Sequence, residues 1–284
     1  MMKADGTVNR AALPTIVNPD DLHALEMALE AKEKRGGEVV VITMGPPAAA
    51  ELLRDMIYRG ADRGVLITDR RAAASDTLAT SYILGRAVEH IGDFDAIFCG
   101  RQAIDGDTAQ TGPQVAEKIN VTQVTFVDKL VDCEGDSFRL SRDLGNATEL
   151  VEAPLPVLLT VMDSANDPRP YGARRITVFK RARARIEIEK EVSAVISAKE
   201  DPDGHAALVE STTADLRDKG LLLEQWDLDV IEADMQWCGR AGSPTKVAKV
   251  ESIVMQSTEQ QEIAPTREGI RDLVHELITD HTIA

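Results

Sequence analysis

Asp95–Ile119 reads DAIFCGRQAIDGDTAQTGPQVAEKI. Asp95–Cys99 is a short apolar run that stops at a glycine, the pattern of a buried strand. Gly100–Pro113 (GRQAIDGDTAQTGP) follows, and Thr108–Ile119 returns to helical spacing. A glycine-containing loop between the carboxyl end of a buried strand and a helix start is where open α/β sheets bind ligands. Gly100, Gly106 and Gly112 are expected to let the backbone turn tightly and a ligand come close. Asp107 as N-cap, with Gln110 three residues later, approximates a capping box. That arrangement would aim the N–H groups of Thr108, Ala109 and Gln110 at a phosphate. Asp105 and Asp107 suit such a site only if they cap backbone N–H groups or hold ribose hydroxyls, leaving main-chain amides for the phosphate. These residues admit two readings: a nucleotide-binding loop, or a structural Gly/Asp loop.

The flanking sequence supplies the architecture. Glu38–Met44 is a β-branched run closed by Gly45-Pro46-Pro47, and Val65–Thr68 is a second strand. Leu22–Arg35, Ala48–Arg59 and Ser75–Ile91 are helical in pattern, with Asn18 or Asp20 and Ser75 as caps. Val121–Val131 and Leu155–Met162 are further strands, and Ser137–Ser141 can pair with Thr148–Glu152 as a hairpin. Strands alternating with helices imply right-handed crossovers and a doubly wound, mostly parallel α/β sheet. Arg181–Glu189 alternates charged and apolar residues, which predicts an edge strand, protected by its charge or facing an acidic partner. Thr266–Asp280 is an amphipathic helix capped by Thr266, whose stripe of Ile270, Leu273, Val274, Leu277 and Ile278 packs on its own core or on another chain.

Composition narrows the function. The 284 residues carry 32 Lys+Arg against 48 Asp+Glu, a net charge of −16. That argues against nucleic acid, where cationic neutralisation of phosphates dominates affinity, and against an anionic membrane surface. No apolar run is long enough for a membrane helix, and Met1–Gly6 is not a hydrophobic signal region. Cys99, Cys133 and Cys238 make neither a disulfide framework nor a zinc site, which predicts a cytoplasmic protein. The acidic charge concentrates in residues 200–236, with 11 Asp/Glu and 2 Lys/Arg, and this stretch reads as an appendage to the nucleotide-binding part. P-loop, GxGxxG, HExxH and GxSxG motifs are absent. His23, His90, His205, His275 and His281 are scattered, so no catalytic base or nucleophile is assigned. The positive signal is nucleotide binding without hydrolysis.

Asn18-Pro19-Asp20-Asp21 with Ala24-Leu25-Glu26, Met44-Gly45-Pro46, Gly60-Ala61-Asp62, Gly100–Gly112, Leu140-Ser141-Arg142-Asp143 and Pro154–Thr160 stand in a recognisable order and spacing. In them the chain resembles the electron transfer flavoprotein β subunit, from about residue 14 to 190 and again near Gly242-Ser243-Pro244-Thr245. The resemblance implies a Rossmann-like adenine-nucleotide-binding domain paired with an FAD-carrying α subunit. Housekeeping members hold structural AMP and serve acyl-CoA dehydrogenases. Electron-bifurcating members hold a second FAD that takes electrons from NADH. Gly106, Asp107, Thr108, Ala109, Gln110, Gly112 and Pro113 resemble the bifurcating pattern, with Thr111 in place of Val. FAD is therefore expected over AMP. A stand-alone ATP-binding stress-type protein of this fold class is the further alternative.

Carried over by position, the nucleotide contacts fall on Asn18, Pro19, Asp20, Asp21, Met44 and the run Gly100, Arg101, Gln102, Ala103, Ile104, Asp105, Gly106, Asp107, Thr108, Ala109, Gln110 and Thr111. The bifurcating branch adds Asp76, Thr77 and Thr80 at the flavin end. Three regions are expected: a nucleotide domain over 1–190; residues 191–250, where the family's partner-recognition loop (coarsely Trp226–Thr245) is joined by an acidic insert that departs from the usual family connection; and an arm and helix over 251–284. Family members begin with a hydrophobic strand ending Lys-x-Val-Pro, which this sequence lacks. A misassigned start is the expectation.

Overall fold

Apolar runs become strands and the amphipathic stretches between them become helices, as periodicity requires. A computed structural model describes residues 15–244 and 263–279. In chain order it holds α1 (Pro19–Arg35), β1 (Val40–Met44), α2 (Ala50–Arg59), β2 (Arg63–Ile67), α3 (Thr77–Ile91), β3 (Ala96–Gly100), α4 (Thr111–Lys118), β4 (Thr122–Asp132), β5 (Ser137–Asp143), β6 (Thr148–Pro154) and β7 (Val157–Val161). There follow α5 (Ala173–Phe179), β8 (Arg183–Ala184), α6 (Arg185–Ser193), α7 (Pro202–Asp218), β9 (Leu222–Trp226) and α8 (Arg267–Thr279).

The strands form two sheets, β1-β2-β9-β8 and β3-β7-β4-β5-β6. Every pair in the first is parallel. In the second, β3, β7 and β4 are parallel, while β5 and β6 form the antiparallel hairpin expected from the sequence. β2 and β7 are covered on both faces and read as continuous apolar runs, whereas β4, β5 and β6 alternate buried and exposed residues. Leu66 of β2 packs with Leu25 and Leu29 of α1 and with Leu53 and Ile57 of α2. The next residue, Ile67, faces the other way and packs with Ile83 and Ala87 of α3. Leu159 packs with Ala24 and Met27 of α1, whereas Leu158 packs with Val115 and Ala116 of α4. This is the doubly wound α/β architecture, and burying each such side chain contributes about 1.5–3 kcal/mol.

Four expectations change. Arg181–Glu189 is not an edge strand: only Arg183–Ala184 is extended, and α6 begins at Arg185. Glu187 accepts the Ala184 N–H at 2.9 Å, which caps the helix. Arg185 pairs with Glu189 one turn on, and Ile188 and Val192 are buried together. The acidic stretch is not an appendage, because its β9 lies between β2 and β8. The third helix starts at Thr77 with Asp76 as N-cap; Ser75 instead donates to Ala72 O. Finally, the helix after the glycine loop starts at Thr111, not Thr108.

The chain divides after Lys246, and α8 belongs to the second unit. Thr266 Oγ1 accepts the Gly269 N–H at 3.1 Å, as a capping residue should. No residue of α8 is buried, and Ile270, Val274 and Ile278 of its stripe are exposed. Met1–Gly6, Thr245 and Asp280, which enter the expectations above, lie outside the described residues.

Candidate functional site

The site is built where α1 begins against the end of β3. Asp21 Oδ1 accepts the Gly100 N–H at 2.6 Å. Asn18 stands at the N-cap position but makes no side-chain cap. Its amide is used across the crevice: Nδ2 donates to Gln102 O at 2.9 Å, and Oδ1 accepts the Ile104 N–H at 3.1 Å. Nδ2 also donates to Asp21 Oδ2 at 3.1 Å. Pro19 occupies the first helical turn, where its missing N–H costs nothing. Asn18–Asp21 and Gly100–Ile104 are therefore one bonded unit, although they lie some 80 residues apart.

Gly100 is required by close approach. A Cβ there would sit 2.7 Å from Asp20 C, Asp20 Cβ and Asp21 N. Gly112 plays the same part, with a Cβ 3.0 Å from Thr160 Cγ2. Gly106 does not: the nearest atom to its Cβ would be Thr108 Cγ2 at 3.9 Å. The tight turning expected of the glycines falls instead on Asp107 (φ 47) and Ala109 (φ 51), a conformation that L-residues hold only where surroundings enforce it. Asp107 is thus not a helix cap. It accepts from Gln102 Nε2 at 3.2 Å, its N–H donates to Ala103 O at 2.9 Å, and Gln110 is the N-cap residue of α4. The amides offered at this helix start are those of Thr111 and Gly112, not Thr108–Gln110.

α3 joins the same crevice. Asp76 Oδ1 accepts the Ala79 N–H at 3.0 Å, and Thr77 Oγ1 donates to Gln110 Oε1 at 3.0 Å. Thr80 lies on the same first turn, its N–H bonded to Asp76 O. Met44 closes β1 at the carboxyl edge, with Gly45 N–H donating to Ile67 O. Ala103–Thr108 of the loop are exposed, Ile104 by 53%.

Charge at the site is mostly acidic. Burial pushes the Asp21 carboxyl above the usual carboxylate range, opposed by the Gly100 N–H and the Asn18 amide and reinforced by Asp20. Arg101 Nε and Asp20 Oδ2 stand 3.5 Å apart, too far for a hydrogen bond, and both atoms are buried without a hydrogen-bond partner. Gln114 Oε1, on the first turn of α4, is likewise buried and unsatisfied. Buried polar atoms seek partners: Asp20 and Arg101 meet each other as an ion pair, and Gln114 Oε1 has no hydrogen-bond partner. Burial pushes the Cys99 thiol up to about 12, so it is no thiolate at neutral pH. Among the described residues no group of His, Cys, Asp and Glu could hold a metal ion. A cavity of about 430 Å³ lies elsewhere, between Tyr82, Arg86, Lys118 and Trp237.

Sequence reasoning missed the Asn18 bridge, because a residue before a helix reads as a cap. It also missed the Ser75 hydroxyl as acceptor of the Gly239 N–H at 3.2 Å, which ties α3 to the turn after β9. No local pattern signals either contact.

Residues 5–199 match the family model described as the electron transfer flavoprotein domain. The chain is 37% identical over 277 residues to the electron transfer flavoprotein subunit beta of Thermoanaerobacterium thermosaccharolyticum, covering 98% of this chain and 91% of that one. It is 35% identical over 283 residues to the protein FixA of Sinorhizobium fredii, covering 96% and 85%. It is 48% identical over 168 residues to the acryloyl-CoA reductase electron transfer subunit gamma of Anaerotignum propionicum, covering 58% and 62%.

Proposed function

This chain belongs to the electron transfer flavoprotein family, among its β subunits, and we propose that it holds FAD in the crevice between β1 and β3. It works there as a heterodimer with an FAD-carrying α subunit, in the cytoplasm, and takes electrons from NADH. The observation that carries this reading is the loop clamped to α1, with the Asp20–Arg101 ion pair and the unsatisfied Gln114 Oε1 beside it. In this reading Asn18 and Asp21 hold the loop in place, and the amides of Thr111 and Gly112 take the phosphates. Asp76, Thr77 and Thr80 line the flavin end. Open space at Gly106 supports FAD over the smaller AMP. The flavin, when bound, supplies the hydride and electron chemistry; the protein binds, orients and excludes water. No side chain of the site is asked to move a proton. The turns after β9 carry exposed Met235 and Trp237 and form the surface that docks the α subunit. Electrons leave to acyl-CoA dehydrogenase-type or other redox partners through the α subunit.

Co-purification with the α subunit and nucleotide quantification test this. Two FAD per heterodimer are expected. One FAD with one AMP would establish the housekeeping reading, and ATP on a chain that forms no heterodimer the stress-type one. Gly106→Asn is expected to lower FAD occupancy severalfold while moving the melting temperature by less than about 2 °C, since the backbone accepts a side chain there. Unchanged flavin content would place the ligand away from this loop.

A further inference from the structure

Tyr82, Gly85, Arg86 and Glu89 recur at i, i+3, i+4 and i+7, so they share one stripe along α3. The end of α4, at Lys118 and Ile119, forms a second wall beside this stripe. The turns after β9 form a third, with Glu232 and Trp237. The three walls enclose the cavity of about 430 Å³. Pockets that take small organic ligands span about 300–1,000 Å³. Gly85 brings the helices together: a Cβ there would sit 3.2 Å from Ile119 Cγ2 and 3.6 Å from Lys118 Cβ. The stripe therefore offers bare backbone at its middle. The nucleotide crevice described above uses Asp76, Thr77 and Thr80 at the start of α3, and shares no residue with this cavity.

The lining holds donors that have no acceptor among the described residues. The Tyr82 hydroxyl accepts the Asp234 N–H at 2.8 Å, which leaves its own proton to give. Lys118 Nζ stands 5.9 Å from the centroid of the Tyr82 ring and meets no carboxylate. The Trp237 indole N–H can only donate, and it too is unpaired. Arg86 is largely committed: Nη1 donates to Glu89 at 2.6 Å and Nε to Ile231 O at 3.3 Å. Its Nη2 lies 3.9 Å from Glu232, beyond hydrogen-bond range. Lys118 is thus the cation of this lining without an anion. Neither the Tyr82 nor the Trp237 ring stacks on another ring among the described residues.

We propose that this cavity is a binding site for a small organic monocarboxylate with a flat apolar body. The carboxylate accepts from Lys118, Tyr82 and Trp237 and supplies the anion that Lys118 lacks. The flat body rests against the Tyr82 and Trp237 rings, which favour offset or edge-on contact with another ring, and against Ile119 and the Gly85 backbone. A cation is disfavoured by Lys118 and Arg86. A dianion is disfavoured as well, because its second charge would face Glu89 and Glu232 across the same space. Glu232 sits at the rim: its φ is 51 and its side chain is 84% exposed. The proposal does not depend on which nucleotide the crevice holds.

Benzoate is the probe, titrated into the full chain alone and in complex with its α subunit. The chain has two tryptophans, so it shows two indole N–H resonances in a proton–nitrogen spectrum, and Trp237→Phe assigns them. Benzoate is expected to move the Trp237 resonance and leave that of Trp226 in place, with a Kd of about 1 mM or tighter. Benzyl alcohol, with the body but no charge, and acetate, with the charge but no body, should each bind at least about tenfold more weakly. Lys118→Met should weaken benzoate by about tenfold and Glu232→Gln should tighten it, both with melting temperatures within about 2 °C of the parent, since these side chains are exposed. The proposal is overturned if benzoate at about 10 mM leaves the Trp237 resonance unmoved, if benzyl alcohol binds as well as benzoate, or if Lys118→Met binds benzoate like the parent. It is also overturned if the α subunit itself shifts the Trp237 resonance and blocks benzoate, which would make the cavity a seat for that subunit.

Discussion

Gly100→Ala is expected to lower the melting temperature by roughly 5–15 °C and to abolish nucleotide retention. The added Cβ would meet Asp20 C, Asp20 Cβ and Asp21 N, all at 2.7 Å. Two of those three atoms are backbone in the first turn of α1, so no flexible side chain can give way. Overpacking of this kind costs about 1–3 kcal/mol or more. Moving α1 aside also breaks the 2.6 Å bond from Gly100 N–H to Asp21 and strains the Asn18 bridge to Gln102 and Ile104. An unsatisfied buried partner adds about 1–3 kcal/mol, and for a domain of this size each kcal/mol shifts the midpoint by about 2–4 °C. Gly106→Ala in the same loop meets open space and is expected to stay within about 0.5 kcal/mol of the parent. Thermal melts of the two variants side by side check the contrast. Equal stability of Gly100→Ala and the parent would show that the loop and α1 are not packed together as described.

Much of this was legible in the sequence, and the misreadings have physical causes. Val40–Met44, Ala96–Gly100 and Val157–Val161 are apolar runs bounded by glycine, proline or turns, and they became strands. Arg181–Glu189 satisfied two periods at once. The alternation that suggests a strand also sets Arg185 four residues before Glu189 and leads to the buried pair Ile188 and Val192, which is helical spacing. The pair at i and i+4, with Glu187 reaching back to Ala184 N–H, was the signal to weigh. The acidic count over 200–236 hid a strand because charge is carried by the flanks, while Leu221 and Leu223 are buried in the core. The loop's place between β3 and α4 was legible from the sequence, but its inner geometry was not. Positive φ at Asp107 and Ala109 comes from tertiary closure of the loop, which sequence spacing does not encode.

Gly239→Ala is the variant expected to separate the docking surface from the rest of the molecule. Gly239 adopts φ 62, and a Cβ there would collide with Arg71 O and lie 3.4 Å from Ala73 O. The left-handed backbone alone costs an L-residue about 1–2 kcal/mol, and the clash adds to it. The turn holding Trp237 would have to lift from the Arg70–Ala73 turn. The segment is also tied down by Leu228 N–H to Asp69, Arg71 to Asp229, Asp234 N–H to the Tyr82 hydroxyl and Arg86 Nε to Ile231 O, and by Leu228, Ile231 and Cys238 in the core beneath it. Gly239 N–H would also leave Ser75 Oγ, the residue before the Asp76 cap of α3. A destabilisation of about 2–4 kcal/mol is expected, with a loss of at least about tenfold in affinity for the α subunit. Ser75→Ala removes the hydrogen bond without the clash and should cost only about 1 kcal/mol. Melting temperature and heterodimer dissociation constant, measured together, read the two consequences apart. A lowered melting temperature with unchanged affinity would move the docking surface away from Met235 and Trp237. An unchanged melting temperature would mean that the turn accepts a side chain, and that its backbone is not held against Arg71.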